Sequence, residues 1–300
     1  MSKTAFVTIA GYTNAGKSSL LNAIVGRKVT SVSDKQQTTR TRITGIKNIE
    51  DIQLVFFDTP GLHKPINRLS EHMLNTVKES VKDIDGIVYV LDCTRKMNRY
   101  EKDLLKSVNE TGIPVILVIN KIDLMKKLHD LAPIIAELAE EIEFQAVIPV
   151  SIRERQGVDI VIEEIMKLAE ESVHFYPDDM ITDQPEKVIV AEIIREKLLG
   201  VLKEEVPHGI AVTVEQMAER DRDNKVPILD ISAVIYCEKP SHKGIIIGKD
   251  GSLLKLVATN ARRSLSRFFR IKVNLQCWVK VKEDWRNSEN LIRSFGLSDK

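Results

Sequence analysis

The chain has 300 residues, enough for two domains or one large one and for a substantial buried core. With 43% hydrophobic and 29% charged residues and a formal net charge of +1, it has the make-up of a soluble globular protein and not of a nucleic-acid binder that is basic throughout. No apolar run approaches the ~20 residues of a membrane span and no secretory signal is expected, so a cytoplasmic protein is the first expectation.

Over the first 172 residues, short β-branched runs (TAFVTIA, IQLVFFD, GIVYVLD, PVILVIN, AVIPVS) recur with helical stretches between most of them. This pattern predicts an α/β domain with a mostly parallel sheet and helices on both faces. The first run leads into Gly11-Tyr12-Thr13-Asn14-Ala15-Gly16-Lys17-Ser18, a match to GxxxxGK[ST]. A helix is predicted at once, over Lys17–Val25 and so including Ser19, which is the context a phosphate loop requires. Backbone N–H groups and the helix N-terminus cradle phosphates there, Lys17 neutralises their charge, and the Ser18 hydroxyl suits Mg²⁺.

Next comes QQTTR at 36–40, which offers Thr38 and Thr39 as a γ-phosphate-dependent ligand of Mg²⁺, Thr39 being favoured. A strand over Thr41–Ile49 should pair antiparallel with Ile52–Asp58 through the turn Glu50-Asp51. Asp58-Thr59-Pro60-Gly61 ends that strand, so that Asp58 is expected to hold Mg²⁺ through water and the Gly61 N–H to meet the γ-phosphate. Leu62 follows where Ras-like proteins place a water-orienting glutamine, so slow intrinsic hydrolysis is expected. Lys17, Thr39 and Gly61 are the expected catalytic residues. Amphipathic helices are predicted over Arg68–Val81, Arg99–Asn109 and Val158–Glu171.

Asn120-Lys121-Ile122-Asp123 ends the strand PVILVIN, where ligands gather on an open α/β sheet. The Asp123 carboxylate can accept from both N1–H and the exocyclic amine of guanine, a donor pair adenine lacks. Ser151, with Ile152 after it, should close over the guanine edge. Together these motifs predict a GTPase.

Residues 174–187, HFYPDDMITDQPEK, have two prolines, four acids and little periodicity, and are expected to link a domain at 1–173 to another at 188–300. The second region reads as helix (Val190–Lys203), strand (Ile210–Ala218), strand (Ile228–Glu238), a short helical turn, GKDG, helix (Ser252–Phe269) and strand (Lys272–Lys282), a small α+β domain. Its residues 241–280 hold nine Lys/Arg against Asp250 alone, which points to a localised anionic partner. The loop Gly248-Lys249-Asp250-Gly251 fits a GXXG clamp on an RNA backbone. On the helix after it, Leu254, Val257, Ala258, Ala261, Leu265 and Phe268 share one face, with Lys255, Arg262, Arg263 and Arg267 on the other. Lys243, Lys249, Lys255, Arg262 and Arg263 are thus expected to meet RNA beside the loop. Cys93, Cys237 and Cys277 are far apart and read as reduced core residues.

GYTNAGKSS, DKQQTTRTRI, DTPGLHKP, NKID and GIIIGKDG, in this order, make the chain resemble the Era-type GTPases over almost its whole length. The resemblance implies a GTPase domain of the translation-factor-related class fused to a type II KH RNA-binding domain. It departs from the family pattern in four places: YTNA for RPNV, QQTTR for PQTTR, Ser151-Ile152 for Ser-Ala, and GKDG for GKGG. The resemblance further implies the 3′ region of small-subunit ribosomal RNA as ligand, a role in small-subunit assembly, and peripheral association with the membrane. It also implies K⁺ near the phosphates with help from Asn14, against which stands Asn14 as an ordinary turn former.

Overall fold

The computed structural model describes all residues except 34, 36–37, 62–67, 70–71, 74–82, 126, 223–224 and 298–300. Leu62, Gln36, Gln37 and most of the helix expected over 68–81 therefore lie outside the described residues. The chain divides into two units. One comprises Met1–Thr30, Thr39–Pro65 and Met73–Asp183, and the other Gln184–Lys300 together with Ser31–Thr38 and Ile66–His72.

The first unit is built on a sheet of order β2-β3-β1-β4-β5-β6, with strands β1 (Lys3–Gly11), β2 (Ile43–Ile49), β3 (Ile52–Asp58), β4 (Gly86–Asp92), β5 (Val115–Asn120) and β6 (Ala146–Pro149). All neighbours run parallel except β2, which pairs antiparallel with β3 from Ile43↔Asp58 to Ile49↔Ile52. Glu50 takes φ 52° in the tight turn between them. Every residue of β4 and β5 is buried, because helices cover both faces and successive side chains enter opposite cores. Val88, Val90, Ile116 and Val118 pack in one cluster, and Ile87, Tyr89, Leu91, Val115 and Leu117 in the other.

Among the described residues the α-helices of this unit are α1 (Lys17–Val25), α2 (Arg99–Asn109), α3 (Ala132–Ala139) and α4 (Val158–Met166). The last is shorter than its expected span to Glu171. Glu170 and Glu171 instead form β7, antiparallel to Lys3 and Thr4 of β1, a long-range pairing that no local periodicity encodes. Residues 174–183, expected as a linker, lie along the β2–β3 edge. Gln53 accepts from the amides of Phe175 and Tyr176 at 2.8 and 3.0 Å, and the Ile46 amide donates to Ile181 O at 2.9 Å.

The second unit has a three-stranded sheet of order β10-β9-β8, with β8 (Ala211–Arg222), β9 (Lys225–Cys237) and β10 (Lys272–Val281). β8 and β9 pair antiparallel and β10 runs parallel to β9. The β8–β9 hairpin is longer than its sequence pattern predicts. The charged end of β8 blurs the apolar signal, yet Arg220 still pairs with Ile228. Helices α5 (Glu186–Leu199), α6 (Pro240–Ile247) and α7 (Ser252–Phe269) share one core with the sheet. α5 begins directly after Pro185 and stops before Gly200, earlier at both ends than the apolar periodicity suggests. A short helix α8 (Glu289–Ser294) has no counterpart in the sequence reading. Before it Trp285 is fully buried and donates to Gly209 O at 2.9 Å, and after it Phe295 stacks on Tyr236 with ring centroids 4.5 Å apart. Among the described residues no helix is long and apolar enough to cross a membrane.

Candidate functional site

Gly11 ends β1, Asp58 ends β3, Asn120 ends β5 and Ser151 follows β6, so the parallel strands bring four motifs to one edge of the sheet. Gly11 is required by its neighbour: at φ 145° an added Cβ would stand 2.4 Å from Val90 O of β4. Gly16, at φ 109°, lies so close to Asn120 Nδ2 that a Cβ would come within 2.2 Å of it. Asn120 uses that approach to join two motifs, donating to Ala15 O at 2.8 Å and accepting from the Ile152 amide at 3.3 Å. Asn14 takes φ 62° at the exposed turn of the loop. Ser19 is half-buried in the first turn of α1.

Lys17 is buried and donates from Nζ to Tyr12 O at 2.9 Å. Burial pushes its ammonium down to about 8, against the opposing pull of the Asp58 carboxylate. Around Asp58 three hydroxyls converge. Ser18 Oγ donates to Asp58 Oδ2 at 2.7 Å, Thr30 Oγ1 at 3.1 Å and Thr39 Oγ1 at 3.4 Å, and Ser18 and Thr39 lie 2.9 Å apart. Thr38 turns elsewhere, its hydroxyl donating to Lys35 O at 2.6 Å. Asp58 is fully buried, burial holds its carboxyl above the usual carboxylate range, and its Oδ1 has no partner among the described residues. An orphaned buried oxygen with the Ser18 and Thr39 hydroxyls beside its carboxylate, Thr30 bracing it from a third side, is the donor set a hard divalent cation takes. Thr59 is anchored by its hydroxyl to Ile9 O at 2.9 Å, and buried Pro60 leads to Gly61. Gly61 passes the phosphate loop so closely that a Cβ would meet Thr13 Cγ2 at 2.7 Å.

At the other end of the edge, Asp123 lies in a single helical turn, Ile122–Leu124, and accepts from Ser151 Oγ at 2.7 Å. Lys121 adopts φ 68° and its Nζ meets Asp92 Oδ2 at 2.5 Å. Burial alone would raise the Asp92 carboxyl, but bonds from Lys121 and Thr94 hold it below its ordinary value. Ile152 packs next to Gly16, its Cδ1 within 3.4 Å of where a Cβ would stand. The sequence reading missed Thr30 and Asp92, which no local motif marks. It also missed Arg95 and Glu101, although the Asn98-x-x-Glu101 spacing of a capping box was legible.

In the second unit, α6 and α7 are joined by Gly248-Lys249-Asp250-Gly251. Both glycines take positive φ, 72° and 73°, Gly248 with an extended ψ of 174° and Gly251 in the left-handed helical region, and Asp250 takes φ 51°. At Gly248 a Cβ would stand 2.8 Å from Leu253 Cβ, so the bare backbone is needed for the loop itself. Lys243, Lys249, Asp250 and Lys255 are exposed around it, with Ile245 and Leu256 presenting apolar surface beside them. Arg262 and Arg263 do not join this group. They sit about 16 Å further along α7 and line a separate groove of about 730 Å³ with Arg220, Arg267 and Lys272. The α7 face expected to be apolar is turned to the core, with Val257, Ala261 and Leu265 fully buried. Cys93, Cys237 and Cys277 are free thiols.

A phosphate loop, a buried carboxylate ringed by hydroxyls and a guanine-type NKID turn on a parallel sheet define a P-loop GTPase, here joined to a KH-type unit. A family model described as a 50S ribosome-binding GTPase matches residues 6–121, and one described as a KH domain matches residues 205–286. The GTPase Era of Clostridioides difficile (strain 630) is 45% identical over 300 residues, covering 100% of both chains. That of Caldanaerobacter subterraneus subsp. tengcongensis is 46% identical over 296 residues, 99% of this chain and 98% of its own. A solved structure described as Era in complex with MgGDPNP and nucleotides 1506–1542 of 16S ribosomal RNA superposes with a TM-score of 0.94 at 35% identity, covering 100% of both chains. An Aquifex aeolicus Era variant bound to GDP.AlF4⁻ gives the same TM-score and identity, over 99% of this chain and 100% of its own. The chain belongs to the Era GTPase family.

Proposed function

We propose that this chain is a GTP-hydrolysing switch that binds the 3′ region of small-subunit ribosomal RNA and assists assembly of the small subunit. Residues 1–173 form the body of its GTPase part and 188–300 that of its RNA-binding part; of the stretch between, 174–183 pack on the first part and Glu186 already opens the helix of the second. The observation that carries the reading is the Ser18–Thr39–Asp58 cluster. A threonine from the 36–40 loop lies against the metal-binding serine and aspartate, the arrangement a loop needs if it is to respond to a γ-phosphate. A constitutive RNA binder with a merely structural nucleotide has no use for it. The solved relative with both MgGDPNP and 16S ribosomal RNA supports the same ligands here.

In this reading Gly11, Tyr12, Thr13, Asn14, Ala15, Gly16, Lys17, Ser18 and Ser19 receive the phosphates. Lys17 carries the fixed charge, and the buried setting strengthens its field on the β- and γ-phosphates. Ser18, Thr39 and Asp58 would hold Mg²⁺, which when bound offsets charge on the phosphate oxygens. The Gly61 N–H would meet the γ-phosphate, and Asn120, Lys121, Asp123, Ser151 and Ile152 would select guanine. RNA meets Lys243 and Lys249 at the GXXG loop and Lys255 on α7, while the groove of Arg262 and Arg263 extends the phosphate contact beyond the four nucleotides a single clamp takes. We place the chain in the cytoplasm. Co-sedimentation with anionic vesicles tests the peripheral membrane association that kinship implies.

The deciding experiment measures affinity for a 16S 3′-end RNA with GDP, with a non-hydrolysable GTP analogue and without nucleotide. Tighter binding with the GTP analogue, by about tenfold, is expected. Equal affinity in all three states would return the chain to a constitutive RNA binder.

A further inference from the structure

Tyr12 is the second residue of the phosphate loop, and its carbonyl holds Lys17 Nζ at 2.9 Å. Its ring is covered by a cation, Arg95 Cζ lying 4.3 Å from the ring centroid. A long side chain gives up rotamer freedom to lie there, so it has to be held. Glu101 holds it, one oxygen accepting from Arg95 Nη1 at 2.7 Å and the other from Nη2. Glu101 is itself fully buried and fixed from two further sides. The Tyr89 hydroxyl of β4 donates to it at 2.5 Å, and the Asn98 amide at 3.0 Å in the capping box that opens α2. A continuous line of contacts thus runs from β4 and α2 through Arg95 to Tyr12 and on to Lys17. Neutralising a buried Glu101 explains the two-pronged pairing, but it does not require the guanidinium to lie on the Tyr12 ring.

We propose that Arg95 is a positioning residue for the phosphate loop: pinned by Glu101, it clamps the Tyr12 ring and so fixes the carbonyl that orients Lys17. Arg95 touches no nucleotide in this scheme and acts through Tyr12. Cation–ring stacking gives the clamp its geometry, and the planar fork of arginine serves the ring and the carboxylate at once. The proposal rests on the reading of Lys17 as the phosphate lysine, so Lys17→Ala is the separate control. Intact nucleotide affinity in that variant would sink the phosphate-loop reading itself.

The test is a double-mutant cycle on the full chain, with Arg95→Ala, Tyr12→Ala and both together, read by the Kd of fluorescent GDP and of a non-hydrolysable GTP analogue. Each single change is expected to weaken both nucleotides about tenfold, and the pair little more than either alone, because both break one contact. KM for GTP should follow Kd while kcat falls less, as for a lost contact that served ground and transition states alike. Losses that multiply to about a hundredfold would mean that the two residues act independently and would overturn the proposal. Arg95→Ala leaves a carboxylate buried without its partner and can lower folding stability. Arg95→Lys therefore runs beside it, keeping Glu101 paired but lacking the planar fork. A severalfold loss of affinity at unchanged melting temperature is expected there, and wild-type affinity in a folded Arg95→Lys protein would equally overturn the clamp.

Discussion

At the scale of the residue, base choice rests on one carboxylate. Asp123 is held by Ser151 Oγ at 2.7 Å, so it is presented in a fixed direction. Asp123→Asn removes the acceptor for guanine and offers an amide that pairs with xanthine. GTP affinity should fall by at least a hundredfold, about 3 kcal/mol, with xanthosine triphosphate binding gained in a competition assay. Glu101 gives a pH-dependent term. Burial would raise its carboxyl, but bonds from Arg95, Tyr89 and Asn98 hold it below the ordinary 4.5. Its stabilising contribution is therefore full above the unfolded value and is lost as pH falls through the lower folded one. Glu101→Gln should cost about 2–3 kcal/mol near neutrality and flatten the acid fall of the melting temperature below pH 5. Asn14, at φ 62° on the exposed turn of the phosphate loop, is the residue to test for a monovalent cation. Faster hydrolysis in K⁺ than in Na⁺, lost in Asn14→Ala, is expected from the family resemblance. Equal rates in both salts would leave Asn14 a turn former.

At the scale of the element, the GXXG loop separates what it needs for folding from what it offers to RNA. Gly248 cannot carry a side chain without meeting Leu253, so Gly248→Asp would mix strain with lost binding. Lys249 and Lys255 are exposed, and their replacement leaves the backbone alone. Lys249→Asp with Lys255→Asp should weaken RNA binding by a hundredfold or more and lower the slope of log affinity against log salt by about two. Melting temperature and GTP hydrolysis without RNA should stay near those of the wild type. An unchanged salt slope would show that RNA phosphates do not meet this loop. The Arg262–Arg263 groove makes the complementary case: the helical wheel put these side chains on the exposed face correctly. It could not tell that they line an open groove apart from the loop, with Arg220 of β8 brought from some forty residues away and Lys272 from the strand that follows α7.

At the scale of the whole molecule, the stretch 174–183 sets where the first unit can be cut. Its composition is that of a linker, yet Gln53, Asn48 and Thr44 hydrogen-bond to it along the β2–β3 edge. A fragment ending at Asp183 should melt several degrees above one ending at Val173, since each buried or half-buried bond contributes about 1 kcal/mol. Equal melting points would make this edge contact energetically idle. Local signals by themselves determined much of this protein: strand periods, the phosphate loop, DTPG, NKID and GXXG are each written within a few residues, because backbone approach and helix termini impose their chemistry at short range. Their order and spacing were enough to predict a GTP-binding α/β part and an RNA-binding α+β part. Tertiary structure alone decided which hydroxyl, Thr39 or Thr38, faces Asp58. It also brought Thr30 to the same carboxylate, Arg95 over Tyr12, β7 against β1 and Trp285 beneath Gly209. These contacts join residues whose separation in sequence carries no pattern, and only the packing of finished strands and helices brings them together.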